Sequence, residues 1–253
     1  MDKSEISAGS IYKTARIESH TATEEDMKLI NKYTLTKLTA EDVFVFKCIA
    51  ADNETDDRNF MPFSIKALQD MKKLYVGKTM IKDHALKAEN QVARVYATEL
   101  IQSSSRTVKS GELYTQLAVE CYMVRTKSNA DLIAEISAGI KREVSTHTVP
   151  ARAVCNICGE DNVKKYCSHW QGRTYKKDGK DTVCLMTIDG CKEAYELSFV
   201  AVPAQPRAAT YKSFGNKVEF APEKSEENQS GSLEAEVNAK IKLCELAVNE
   251  MEE

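Results

Sequence analysis

Five of the chain's eight cysteines fall between residues 155 and 191. Within that stretch CNIC at 155–158 and CSH at 167–169 read Cys-x2-Cys-x8-Cys-x-His. Metal ligation needs several thiolates and imidazoles converging at short range. The two-residue gap of Cys-x2-Cys lets one tight turn present two thiolates to a single ion, and zinc takes four tetrahedral N/S ligands. Cys155, Cys158, Cys167 and His169 are therefore the expected ligands of a structural Zn2+, with no coordination position left open for chemistry. Cys184 and Cys191 compete for a place in that set. About forty residues with few apolar side chains build no core unaided, and a bound ion supplies the missing folding energy. Cys48 and Cys121, in apolar runs, read as small core residues.

A second chemistry rests on serine and histidine. The chain has four histidines: His20, His84, His147 and His169. His20 lies in a polar leader and His169 belongs to the cysteine cluster. His84 sits between two extended segments, in IKDHALKAENQVARV, and Ser145 lies within KREVSTHTV. A serine hydroxyl is a poor nucleophile unless an imidazole takes its proton, and a third group must orient that imidazole and stabilise its cation. Glu196, inside the otherwise apolar AYELSFVAV, costs several kcal/mol to bury unpaired. Its expected partner is either an arginine, such as Arg94 or Arg142, or His84. His147, two residues beyond Ser145 on the same strand face, is the competing third member. Spacing alone does not bring His84 and Ser145 together, because about sixty residues separate them.

The elements that must position these groups follow from periodicity. DVFVFKCIA (42–50) alternates β-branched and aromatic side chains and reads as a strand. Ser64 caps a helix through about Leu74, with Ile65, Leu68, Met71 and Leu74 on one face. VGKTMIKDHA, QVARVYATEL and LYTQLAVECYMV are further extended segments. In the last, Leu113, Thr115, Leu117, Val119, Cys121 and Met123 share a face. Ser128 and Asp131 suggest a capping box opening a short helix that ends at Gly139. The strand KREVSTHTV follows, and AYELSFVAV leads to Pro203 and Pro206, the edge of the sheet region. The expected organisation is a polar leader (1–40), a main domain (41–210) with a metal-binding insert (153–193), a linker (211–231) and a C-terminal helix (232–253). In that helix Val237, Ile241, Cys244, Val248 and Met251 form a heptad seam suited to self-association.

The 253-residue chain carries 35 Lys+Arg against 38 Asp+Glu, a net charge of −3. That balance does not suit a broad nucleic-acid or membrane-surface binder. The N-terminal MDKSEISAGS has no apolar h-region, so a cytoplasmic chain with reduced thiols is expected.

Taken in order, VFVFKCIAADNETDDRNF, YVGKTMIKDHALKAENQVARVYATEL, LIAEISAGIKREVSTHTV and ELSFVAVPAQPRA resemble a bacteriophage prohead (capsid maturation) serine protease. That family is distantly similar to the herpesvirus assemblins. The likeness runs from about Glu41 to Ala209, and a subgroup of the family is also similar in carrying a Cys-x2-Cys/Cys-x-His insert. The resemblance implies Ser145 as nucleophile, His84 as general base and an acidic third member, for which Glu196 fits by position. In the family a small residue and glycine often follow the serine; here Thr146 and His147 do. The implied fold is α+β and mainly β: a closed antiparallel β-barrel of assemblin type with surrounding helices and an inserted zinc ribbon. The implied work is cleavage of the major capsid protein and scaffold protein, and of the chain itself, inside the prohead assembling in the host cytoplasm. The alternative is a non-catalytic zinc-ribbon interaction or scaffold protein of the prohead. Lys164, Lys165, Arg173, Lys176, Lys177 and Lys180, with Trp170 and Tyr175 to stack on bases, would then form its surface.

Overall fold

In the computed structural model of the protein the described residues are 19–55, 58–205 and 208–210. The expected linker (211–231) and C-terminal helix (232–253) lie outside them. In chain order the elements are β1 (Ser19–His20), α1 (Glu24–Ile30), β2 (Val43–Asp52), α2 (Ile65–Leu74), β3 (Thr79–Lys82), β4 (Ala93–Thr107), β5 (Leu113–Val124), α3 (Ala130–Ser137), β6 (Val144–Pro150), β7 (Ala153–Cys155), β8 (Thr174–Lys177), β9 (Lys180–Val183), β10 (Met186–Ile188), β11 (Cys191–Phe199) and β12 (Ala209–Thr210).

The fold is α+β and mainly β. Six main strands form one mixed sheet in the order β2-β5-β4-β3-β11-β6, and the two-residue strands β1 and β12 pair with β2. The expected closed antiparallel barrel is not formed. β3 and β11 run parallel, with Glu196 opposite Thr79 and Phe199 opposite Lys82. The ladder also stays open between β2 and β6. One backbone bond, from Val144 N–H to Ala208 O (3.1 Å), reaches from β6 towards the segment that enters β12. The returning chain carries Pro203, which lacks an amide donor and cannot propagate a ladder.

Both faces of β2 are covered, which explains its near-continuous burial. Phe44, Phe46, Cys48 and Ala50 join Leu117, Val119, Cys121 and Met123 of β5 in the main core. Val43 and Val45 point the other way, against Ile30 of α1, Tyr96 and Tyr122. Part of the expected leader is thus a packed element. α1 begins with a capping box between Thr23 and Asp26, and its apolar side seals the outer face of the sheet.

α2 is capped by Ser64, whose hydroxyl accepts the Ala67 N–H at 3.1 Å. It buries Ala67, Leu68 and Met71 against the main core. Removing a large buried side chain such as Leu68 costs about 2–5 kcal/mol.

α3 does not start with the expected box. A 3-10 turn, Lys127–Asn129, precedes it, and Thr126 caps that turn. The backbone is already helical at Asn129, so Ser128 has no extended cap position to occupy; its hydroxyl meets that of Thr126 at 2.9 Å. The end is as expected. Gly139 takes φ +75°, and the amides of Gly139 and Ile140 return to Ile136 O and Glu135 O, the paired bonds of a Schellman stop. That stop turns the chain directly into β6.

Candidate active site and metal centre

β6 and β11 are antiparallel neighbours, with Ser145 opposite Ser198 and His147 opposite Glu196. Directly opposed residues share a sheet face. A register shift between Ala194 and Glu196 lets Tyr195 stand as an extra residue on β11. Such a bulge reverses the alternation. Ala194, Leu197 and Phe199 therefore enter the core, while Glu196 and Ser198 turn to the face that carries Ser145 and His147.

His84 reaches that face from β3. Asp83 and His84 both have left-handed backbones, φ 55° and 53°, which cost free energy for non-glycine residues and persist only where surroundings hold them. Here the Asp83 N–H donates to Phe199 O at 2.9 Å, and the His84 N–H donates to Ser198 Oγ at 2.9 Å. The turn folds the imidazole back over β11, where Nδ1 lies 2.6 Å from Glu196 Oε1. Glu196 is fully buried. Its Oε2 has no hydrogen-bond partner among the described residues. The bond from Glu196 raises the pKa of His84 above its ordinary 6.5, against the opposing effect of burial. His147 Nδ1 stands 3.8 Å from the same Oε1, beyond hydrogen-bond reach, and its ring packs on Tyr195 at 4.9 Å. From beneath, the Tyr75 hydroxyl donates to Glu196 O (3.1 Å) and to His147 O (3.3 Å), tying the two strands at this level.

His84, Ser145 and His147 open together on a cleft of about 540 Å³, rimmed by Arg58, Asn59 and the segment Val202–Ala204. Ser145 is nearly buried. Neither Arg94 nor Arg142 pairs with Glu196: Arg94 donates to Gly77 O and Arg142 pairs with Glu143. A hydroxyl and an imidazole line one cleft, and a buried carboxylate holds Nδ1 of that imidazole; these are the kinds of group that acyl transfer uses. Sequence reasoning missed Ser198, Tyr75 and Arg58. Ser198 has a signal, a second polar residue two positions after Glu196 in an apolar strand. Tyr75 and Arg58 have none, because only long-range packing brings them here.

The second cluster lies in residues 153–193. β7 ends at Cys155, and Gly159 (φ +78°) lets the chain turn so that its N–H returns to Cys155 O at 2.8 Å. Asn162 Oδ1 accepts the Cys167 N–H at 3.0 Å and fixes the loop that bears Cys167 and His169. One ligand atom from each of Cys155, Cys158, Cys167 and His169 lies within 4.8 Å of all the others. Tetrahedral zinc–thiolate bonds of about 2.3 Å separate ligand atoms by about 3.8 Å, so the four need only a slight contraction. His169 Nδ1 is buried with no hydrogen-bond partner among the described residues. The residues therefore fit a four-coordinate ion.

Cys184 adjoins the cluster, its sulfur 3.8 Å from that of Cys155, and burial pushes its thiol up to about 12; it is not among the four whose ligand atoms all lie within 4.8 Å of one another. Burial works upward on Cys167 as well, but hydrogen bonds from the His169 backbone and from Asn162 outweigh it and bring the thiol to about 7. Cys191 is no competitor: it sits on β11 in the main core. Three of the basic residues expected to form an interaction surface are engaged, Lys164 with Asp161, Lys176 with Asp181 and Lys177 with Asn156 O. No described helix is long and apolar enough to cross a membrane.

Searches of protein-family models, curated proteins and solved structures return no match to this chain.

Proposed function

We propose that this chain is a serine endopeptidase of the prohead-maturation kind. The observation that carries the reading is the 2.6 Å contact between His84 and the buried Glu196 carboxylate, at the edge of the cleft that also exposes Ser145. Ser145 Oγ attacks a peptide carbonyl while His84 takes its proton, and Glu196 stabilises the imidazolium that forms. Backbone N–H groups at the cleft stabilise the oxyanion. His84 then passes the proton to the leaving amine, and water, activated by the same imidazole, releases the acyl group.

β6 ends the sheet, so an extended substrate adds alongside it as a further strand. The Cys3His cluster holds a structural Zn2+, which supplies folding energy to the insert and no chemistry at the cleft. The substrates are the capsid and scaffold proteins of the assembling shell, and the chain itself.

Coexpression with a phage major capsid protein and its scaffold protein tests the reading, with products weighed by mass spectrometry. Truncated capsid or scaffold chains are expected with the wild type and not with Ser145→Ala. Identical product masses in the two cultures would refute it.

A further inference from the structure

A second cavity, of about 200 Å³, opens beside the first and shares Ser145, Thr146 and His147 with it. Apolar side chains, among them Met61, Phe63, Pro150 and Ile188, make up most of its wall, and Asn59, Thr148 and Gln205 also line it. No Asp, Glu, Lys or Arg is among its described lining residues. Of the polar lining residues, Gln205 is spent on Asp52: its Oε1 accepts the Asp52 N–H at 3.0 Å, and its Nε2 donates to Asp52 O at 2.8 Å. We propose that this cavity is the specificity subsite for an apolar substrate side chain of Leu, Met or Phe size next to the scissile bond. The inference rests on the proteolytic reading above and deepens it.

The dimensions suit the occupant, since an apolar cavity of about 150 Å³ already accepts a benzene-sized group. Among the described lining residues none offers an opposite charge to an ammonium or carboxylate placed there. One wall also belongs to the metal-bearing insert. The Ile188 N–H donates to Pro62 O, the Met186 N–H to Phe60 O, and the Ser64 N–H to Ile188 O, each at 2.9 Å. Met61 packs against both the main core and the small cluster of Cys155, Cys184 and Met186. The insert thus props the subsite, which gives it a role in substrate choice as well as in folding.

The test presents the full-length, metal-loaded chain with a synthetic peptide library in which every position samples all residue types. Products are sequenced by mass spectrometry, and Ser145→Ala sets the background. Ser145-dependent cuts are expected with Leu, Met or Phe at one fixed position beside the cut, and charged residues there depleted on the order of 100-fold. Thr148→Phe, which narrows the cavity, is expected to shift the Leu/Ala preference towards Ala by about tenfold or more. Met61→Ala, which widens it, is expected to shift preference towards Trp. Thermal melting confirms that each variant is folded.

Ser145-dependent cuts with no apolar preference, or a preference unmoved in both variants, would overturn the subsite and leave the protease standing. No Ser145-dependent cut at all would overturn both.

Discussion

Replacing Glu196 by Gln changes one atom of a buried group and separates function from stability. In the proposed mechanism the proton of Ser145 moves to His84 in the transition state, and His84 Nδ1 lies 2.6 Å from Glu196 Oε1. For charge centres about 4 Å apart at an effective dielectric of about 20, the attraction is about 4 kcal/mol. The His84 side chain is 39% exposed, and solvent screening reduces this to about 3 kcal/mol. At 1.36 kcal/mol per decade, the loss is on the order of 100-fold.

Stability follows a different course. Glu196 Oε2 is buried with no hydrogen-bond partner among the described residues, and a neutral amide in its place leaves less uncompensated charge. Glu196→Gln is therefore expected to melt within a few degrees of wild type. The assay is the second-order rate of Ser145 phosphonylation by a fluorophosphonate across pH, beside thermal unfolding of the same samples. The variant should react about 100-fold more slowly, with its inflection moved to lower pH, because the largest cause of the raised His84 pKa is gone. Near-wild-type rates with an unmoved inflection would refute the reasoning.

Four further outcomes are expected. In the wild type, neutral His84 is the base, so phosphonylation should be present at alkaline pH and be lost as pH falls through a value above 6.5. The raised pKa also makes the His84–Glu196 pair stabilising below about 6.5, a contribution lost as pH rises through the folded-state value; melting against pH checks that sign. Elemental analysis should find one zinc per chain in the wild type and in Cys184→Ser, but not in Cys155→Ser or Cys158→Ser, and equal loss in all three would displace the Cys3His assignment. Gly139→Ala, forced into φ +75°, should lower stability by about 1 kcal/mol in chemical denaturation.

What was legible in the sequence is local chemistry. Ser64 reads as a cap because its hydroxyl serves an amide three residues away, and LYTQLAVECYMV reads as a strand because its alternation is self-contained. The four metal-cluster residues are legible for the same reason: they lie within fifteen residues and converge through two tight turns. The catalytic grouping is only half legible. Glu196 attracts notice as a carboxylate in an apolar strand, but its face depends on the bulge at Tyr195, which no local signal announces. The position of His84 depends on two consecutive left-handed residues, Asp83 and His84, held by Phe199 O and Ser198 Oγ from a strand more than a hundred residues away. The barrel expectation failed for a related reason. Periodicity reports which residues form strands, not their order or direction, and here β3 lies parallel to β11 while the proline-bearing return cannot close the ladder.

The central claim is that Ser145 is a nucleophile activated by His84. Intact-mass analysis and peptide mapping after fluorophosphonate treatment of the folded, full-length chain test it most directly. The account predicts a single adduct on Ser145, absent from Ser145→Ala and formed at least 100-fold more slowly in His84→Ala. An unmodified wild-type chain, an adduct on another residue, or undiminished labelling of His84→Ala would contradict it.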